Sequence, residues 1–165
     1  LIAQVAPHLG VLRDQFGLAV NLSIRHGDDM VYLLRLPSRQ LTLSEMLPGR
    51  RLPAWSNASG RMLLTGCGDE ELRAIHKRQP PLAFTPRTTT DLGSLLGEIA
   101  KARADGYVIT QHQMNMHQIG VAVLATVSSG AQVAIGMSTT LDDYSPARVE
   151  TDLVPALFRA AAALR

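Results

Sequence analysis

The spacing of apolar residues changes along the chain, and each change predicts a different kind of element. Near the start, apolar residues recur at steps of three and four, which places them on one side of a helix. These residues are Ile2, Val5, Leu9, Leu12 and Phe16. Gly17 suits the left-handed conformation that ends many helices, while Pro7 predicts a bend or a helix start near its position. Over residues 18–25 apolar and polar side chains alternate, which is typical of a strand with one buried face.

The same two patterns divide the rest of the chain. Strands are predicted over residues 30–36, 41–46, 107–110, 119–127 and 133–139. Helices are predicted to begin at Ser56 or Asn57, at Asp69, at Thr90 or Asp91, and at Ser145, with a kink at Pro155. A helix, three strands, three helices, three strands and a final helix indicate an α+β domain, in which helices pack on a six-stranded antiparallel sheet.

Composition narrows the class of protein. The 165 residues suit one domain, and with 46% hydrophobic and 18% charged residues the chain can bury a core. No apolar run approaches the roughly 18 residues that cross a membrane, and the first residues do not form a signal peptide. Cys67 is the single cysteine, so an intrachain disulfide is excluded and a reducing compartment such as the cytoplasm is expected. The chain starts with Leu rather than Met, which indicates a piece of a longer protein.

Charge gives no sign of a nucleic-acid-binding surface. The formal net charge is only +2, and no aromatic stacking pattern accompanies the basic residues. The densest basic stretch contains Arg35, Arg39, Arg50 and Arg51. We interpret this stretch as a solvated face.

Four ordered segments resemble the effector-binding domain of IclR-type bacterial transcription regulators. Residues 49–64, GRRLPAWSNASGRMLL, are similar to the family signature of a proline followed by a small-residue helix start. Residues 84–92 resemble its threonine-rich helix entry, residues 101–107 its basic segment ending in Gly-Tyr, and residues 119–139 its final hairpin. The resemblance covers essentially the whole chain and implies a GAF-like fold.

The resemblance also implies a function and a domain organisation. Members carry a winged helix-turn-helix before this domain, which this chain does not contain. Residues 1–17 would be a linker helix that packs on the domain, and residues 18–165 the effector-binding domain. A small organic acid, with aromatic acids among the possibilities, would bind and rearrange the subunits of a dimer or tetramer, so that DNA binding by the missing domain changes. No cofactor and no membrane partner are implied. The alternative is a GAF-like sensor domain of another signalling protein, such as a fused kinase or cyclase.

The start of the helix near Asn57 is the first candidate ligand site. A helix N-terminus exposes unpaired N–H groups and a partial positive charge, which favour a carboxylate. The small residues Ala58, Ser59 and Gly60 would let a ligand approach that backbone, although helix–sheet packing alone also explains Ala58 and Gly60. The resemblance favours the ligand.

By the same resemblance, further pocket positions lie on the strands. These positions are Thr110, Gly120, Met137 and Thr139, with an apolar wall from Leu41, Leu43 and Leu52. Many relatives have an acidic run at 110–113 and Ser at position 137, so this chain is expected to have a more apolar pocket that repels anions less. Met114 and Met116 fit a lid over the ligand, a subunit contact or the filling of gaps in the core.

Two other kinds of site are disfavoured. His112 and His117 are five residues apart and fit no zinc-binding spacing, so no metal site is predicted. Motifs of serine hydrolases, P-loop enzymes and zinc proteases are absent from the sequence. Cys67 with His76 could form a nucleophile pair, but the glycines beside Cys67 mark a helix exit. A binding domain rather than an enzyme is therefore predicted.

Overall fold

Six strands hydrogen-bond into one antiparallel sheet in the computed structural model, which describes residues 1–38 and 50–165. The strands are β1 (Ala19–His26), β2 (Asp29–Leu36), β3 (Arg51–Pro53), β4 (Tyr107–Gln111), β5 (Gln118–Thr126) and β6 (Gln132–Thr140). Their order across the sheet is β3-β2-β1-β6-β5-β4. Each half of the chain thus forms a local meander, and the two meanders meet where β1 pairs with β6.

Helices cover both faces of this sheet. They are α1 (Ile2–Phe16), α2 (Ala58–Leu63), α3 (Asp69–Arg78), α4 (Leu92–Asp105), α5 (Pro146–Arg148) and α6 (Val154–Ala162). Short 3-10 turns, Ala54–Ser56 and Leu64–Gly66, flank α2. The predicted α+β fold with a six-stranded antiparallel sheet is confirmed. In the part of the chain that the structure describes, no helix is both long and apolar enough to span a membrane.

Several helices begin or end at residues whose local roles were predicted from the sequence. Asn57 caps α2, since its side chain accepts from the Gly60 amide at 2.9 Å, and Asp91 caps α4 in the same way through Ser94 at 2.8 Å. Gly17 and Gly106 end α1 and α4 with φ of 68° and 80°, the left-handed values that glycine adopts without strain.

Two local predictions need correction, and the structure adds detail to a third, the kink at Pro155. Asp69 is the first residue of α3 rather than its cap, a position that Gly68 takes. Helix α1 starts at Ile2 and continues through Pro7 to Phe16. The turn before Pro155, Val149–Leu153, is π-helical, in keeping with a residue that has no N–H to donate to the preceding turn.

The structure contains a strand, β3, that the alternation did not predict. The stretch 41–46 falls outside the residues that the structure describes, and the strand that pairs with β2 is β3. Three residues are too few to show an alternating pattern. Pro53 ends β3 at the edge of the sheet, where a residue without an N–H is tolerated.

The two faces of the sheet carry different kinds of layer. On one face α1 and α6 bury a continuous apolar core that includes Leu9, Leu22, Ile135 and Leu157. On the other face α2, α3 and α4 bury smaller clusters, one of which surrounds Trp55. Beside those clusters the sheet presents polar side chains and glycines to α2, and this is where an internal space remains.

Candidate functional site

A cavity of about 80 Å³ lies between the start of α2 and the sheet. One ordered water needs about 10–15 Å³, so the space suits several waters or a small organic molecule. β1 and β2 supply Asn21, Tyr32 and Arg35, and the segment before and within α2 supplies Arg50, Ser56, Asn57, Ala58 and Ser59. β4, β5 and β6 and the loop between β4 and β5 supply Thr110, Gln113, Met114, Asn115, Gln118, Gly120, Val121, Gly136, Met137 and Ser138.

The start of α2 is fixed to the sheet by two polar contacts. The side-chain amide of Asn57 donates to the Tyr32 hydroxyl at 2.9 Å, while its carbonyl caps the helix. The Ser59 hydroxyl donates to the Asn21 side-chain carbonyl at 3.1 Å. A Cβ at Gly136, opposite Asn21 in the sheet, would collide with the Ser59 hydroxyl. The glycine is therefore needed for α2 to approach the sheet this closely.

The lining carries positive charge. Among its described members there are two arginines and no Asp or Glu. The Arg35 guanidinium lies 4.2 Å from the centre of the Tyr32 ring, and the backbone carbonyl of Arg50 accepts from the Tyr32 amide at 3.1 Å. Burial raises the pKa of the Tyr32 phenol, with Arg35 and Arg50 opposing the shift, so the phenol stays protonated at neutral pH. An anion is the ligand that such a lining favours.

A buried arginine holds the loop that borders the cavity. Arg61, on α2, is only 2% exposed and donates to the Trp55 carbonyl at 2.9 Å. It also donates to Glu98 on α4 at 2.7 Å and to the Gln113 side chain at 2.6 Å. Burial lowers the pKa of the Arg61 guanidinium and the Glu98 carboxylate opposes this shift. The position of Gln113 is thereby tied to α2 and α4.

Five of the residues proposed for the pocket line the cavity. They are Ala58, Ser59, Thr110, Gly120 and Met137. A Cβ at Gly120 would lie 3.2 Å from the Thr110 hydroxyl and 3.7 Å from Ala58, so glycine keeps this part of the cavity open. Contact with a ligand stays a prediction for all five.

The interpretation of Met137 changes with the structure. Its side chain is buried in the apolar core under α1 and α6, whereas its neighbours Gly136 and Ser138 share the cavity's face of β6. The apolar residue at position 137 therefore strengthens the opposite core, and the expectation that it makes the pocket more apolar is wrong.

Three other predicted positions do not line the cavity. The missing Cβ of Gly60 leaves room for the backbone carbonyl of Ala54, so this glycine serves packing. Leu52 is buried with Met30 and Leu63 in an apolar cluster. Thr139 lies on the Met137 side of β6 by the alternation of the strand. The predicted wall residues Leu41 and Leu43 lie outside the described ranges.

Sequence reasoning missed much of the polar lining. Arg35 and Arg50 are half-buried and border the cavity, which the solvated-face interpretation did not anticipate, whereas Arg51 is exposed as predicted. Arg39 lies outside the described residues. Asn21 is one of the polar residues that alternate with apolar ones in β1, and this alternation, which puts it on the face opposite to Val20 and Leu22, was the available signal. Gln113 and Asn115 gave no signal, because their loop becomes part of the site only through the contacts of Arg61 and the threonines near residue 88.

The contacts of His112, His117, His76 and Cys67 do not favour a metal site or a nucleophile pair. The His117 amide donates to His112 Nδ1 at 2.9 Å, and no group of three metal-binding side chains occurs in residues 1–38 and 50–165. Cys67 is 2% exposed and accepts from Arg25 at 3.0 Å. Burial raises the pKa of its thiol, which disfavours the thiolate that nucleophilic attack needs. The ring of His76 packs instead against Trp55, with 6.1 Å between ring centres.

Comparisons with known proteins bear on the whole chain. The family model for the C-terminal domain of bacterial IclR transcriptional regulators matches residues 1–164. The Pca regulon regulatory protein of Pseudomonas putida is 30% identical over 162 residues, which are 97% of this chain and 56% of that protein. The chain thus spans about half the length of the curated relatives it matches.

Solved structures of known transcription regulators share the fold of this chain. The repressor BlcR of Agrobacterium tumefaciens has a TM-score of 0.87 at 29% identity, over 99% of this chain and 64% of that one. The inducer-binding domain of PobR from Acinetobacter, a double mutant in complex with 3-hydroxybenzoic acid, has a TM-score of 0.91 at 22% identity, over 100% of this chain and 97% of that one. At this identity the second likeness shows the shared fold. The chain belongs to the family of IclR-type bacterial transcriptional regulators and corresponds to their C-terminal, effector-binding domain.

Proposed function

We propose that this domain senses a small organic acid, aromatic acids included, and that binding changes how a DNA-binding regulator engages its operator in the cytoplasm. The observation that carries the proposal is the cavity beside α2, whose described lining has two arginines and no carboxylate. The relatives named above are regulators, which favours this function over an enzyme and over a sensor in a kinase or cyclase.

The lining suits a carboxylate with a compact apolar body. Arg35 and Arg50 supply positive charge, and the first amides of α2 have no partners in the helical ladder. Met114 supplies apolar wall. The PobR domain, which shares the fold, was solved with an aromatic acid, and this supports including aromatic acids among the ligands.

The response to the ligand would be a shift between subunit arrangements. A ligand changes such an equilibrium only if it binds one arrangement more tightly than another. The cavity is suited to this role because α2, the sheet and the loop held by Arg61 all line it, so one bound ligand would contact all three. A dimer or tetramer is the assembly we propose, with the DNA contacts made by a separate domain.

Calorimetric titration with aliphatic and aromatic monocarboxylic acids tests the proposal. At least one acid should bind, and Arg50→Gln should weaken that acid about tenfold, since a nearby unit charge contributes on the order of 1–2 kcal/mol across a partly hydrated gap. Arg51→Gln is the matched control, because the Arg51 side chain is 53% exposed, pairs with Asp29 at 3.3 Å and does not line the cavity.

Two results would contradict the proposal. One is a complete panel with no binding at millimolar concentration. The other is an equal loss of affinity in the two arginine variants, which would assign the effect to overall charge.

A further inference from the structure

One hydroxyl at the cavity has no hydrogen-bond partner. Ser56 is 4% exposed and lines the cavity from the turn just before α2. Its Oγ forms no hydrogen bond within the part of the chain that the structure describes. Buried side-chain hydroxyls in folded proteins nearly always have a partner, so this one needs an explanation.

The backbone that carries Ser56 is held in place by contacts on both sides. The Ala54 amide donates to the Asp28 carbonyl at 3.1 Å, and Trp55 is 1% exposed. Gly60 packs directly on the Ala54 carbonyl, and Asn57 is held by its own bonds to Gly60 and Tyr32. The turn is therefore fixed on both sides.

Asn57, the residue after Ser56, binds a second hydroxyl of the cavity lining, that of Tyr32. The Tyr32 oxygen accepts from Asn57, so the hydrogen of its phenol remains to be donated. Ser56 and Tyr32 together can pair with a neutral polar group such as a hydroxyl or an oxo oxygen. Arg35 and Arg50, which also line the cavity, can take a carboxylate.

Two other buried polar groups of the described chain lack partners, and they provide a contrast. They are the Ser23 hydroxyl and the Trp55 indole N–H, neither of which belongs to the lining of the cavity. Ser23 is 0% exposed and lies on β1. It is thus a buried unpaired hydroxyl of the same kind at a place where no ligand is expected.

We propose that Ser56 is a specificity-determining residue, whose hydroxyl bonds to a hydroxyl or oxo substituent that the effector carries in addition to its carboxylate. This inference rests on the proposed function. A ligand without the substituent would leave the Ser56 oxygen unpaired, whereas a ligand that carries the substituent would pair with it, and binding sites reject analogues that lack one polar group by this difference.

Paired acids that differ by one hydroxyl test the contact. We would titrate 3-hydroxybenzoate and 4-hydroxybenzoate against benzoate, and lactate against propionate, into the wild-type domain, Ser56→Ala and Ser23→Ala. In wild type the preferred hydroxy acid should bind about tenfold more tightly than its partner. Ser56→Ala should reduce this ratio to near one, and Ser23→Ala should leave it unchanged.

Thermal unfolding without ligand gives a second readout. Ser56→Ala should raise Tm by about 2–4 °C, because the variant no longer buries an unpaired hydroxyl. Ser56→Cys keeps a side chain of similar size with a weak donor, so it should show the same lowered ratio even where the alanine variant folds poorly.

The outcomes separate the two proposals. If no acid binds the wild-type domain, the proposed function itself is overturned. If acids bind and the ratio is the same in wild type, Ser56→Ala and Ser56→Cys, the contact of Ser56 is overturned while acid sensing stands. An equal fall of the ratio in Ser23→Ala would also overturn the contact, because it would show that the effect does not depend on the cavity.

Discussion

Gly60→Ala separates the two explanations of the small residues in α2, close packing and access for a ligand. A Cβ at position 60 would overlap the backbone carbonyl of Ala54, which no side-chain rotation relieves. Overpacking of this kind costs about 1–3 kcal/mol, and the upper end applies where backbone must move. Alanine regains about 1 kcal/mol through its helix propensity. We therefore expect a net loss of about 2 kcal/mol in the free energy of unfolding.

Gly97→Ala is the matched control. Gly97 lies in α4, is exposed, and a Cβ there would meet nothing within 4 Å. Only the propensity gain applies, so this variant should be about 1 kcal/mol more stable than wild type. In a domain of this size, 1 kcal/mol corresponds to about 2–4 °C in Tm.

Chemical and thermal unfolding of both variants give the measurement. Gly60→Ala should lower Tm by about 4–8 °C, and Gly97→Ala should raise it by about 2–4 °C. Equal stabilisation by both substitutions would refute the packing argument. A Gly60→Ala variant with unchanged stability that no longer binds any acid would indicate that Gly60 belongs to the ligand site.

Two further predictions concern the loop beside the cavity. Arg61→Met should lower the free energy of unfolding by about 2–4 kcal/mol, because it leaves the Trp55 carbonyl without this donor, the Gln113 side-chain oxygen with only the Thr89 amide, and Glu98 without its charged partner. Glu98→Gln should cost less than about 1 kcal/mol, since Glu98 is 40% exposed, and a larger loss in denaturant unfolding would contradict this ranking. Burial lowers the pKa of His112 below its usual value, and the charges of Arg87 and His117 add to the shift. As the pH falls, the unfolded chain therefore binds the proton before the folded domain does, and the free energy of unfolding should decrease. His112→Asn keeps an acceptor for the His117 amide and tolerates the φ of 58°, so its stability should depend less on pH between about 7.5 and 5.5; identical slopes for the two proteins would count against the assignment.

Elements with a long periodic pattern and a cap could be predicted from the sequence. The alternation over β1, the apolar stripe of α1 and the caps at Asn57 and Asp91 are local signals, and the structure confirms each of them. β3 could not be predicted in the same way, because a strand of three residues is defined by its partner β2 rather than by its own composition.

The site was harder to predict than the fold because its residues depend on pairing across the chain. The helix start at Ala58 and Ser59 was accessible from sequence, since small residues and a cap lie together there. Whether a strand residue faces the cavity or the opposite core depends on the register of β6 against β1. This register excludes Thr139 from the cavity lining and places the Met137 side chain in the opposite core. Arg35 follows the same rule, for only the folded sheet brings it over Tyr32.

The junction between β1 and β6 has a consequence for folding. Ala19 pairs with Ser138, so the two central strands join parts of the chain that are separated by most of its length. Such distant pairing closes a large loop, which slows folding relative to the local hairpins on either side. The cavity straddles this junction, because Asn21 pairs with Gly136. During synthesis, therefore, the binding site can form only after β6 has left the ribosome, and a nascent chain with most of its helices in place is still unable to sense its ligand.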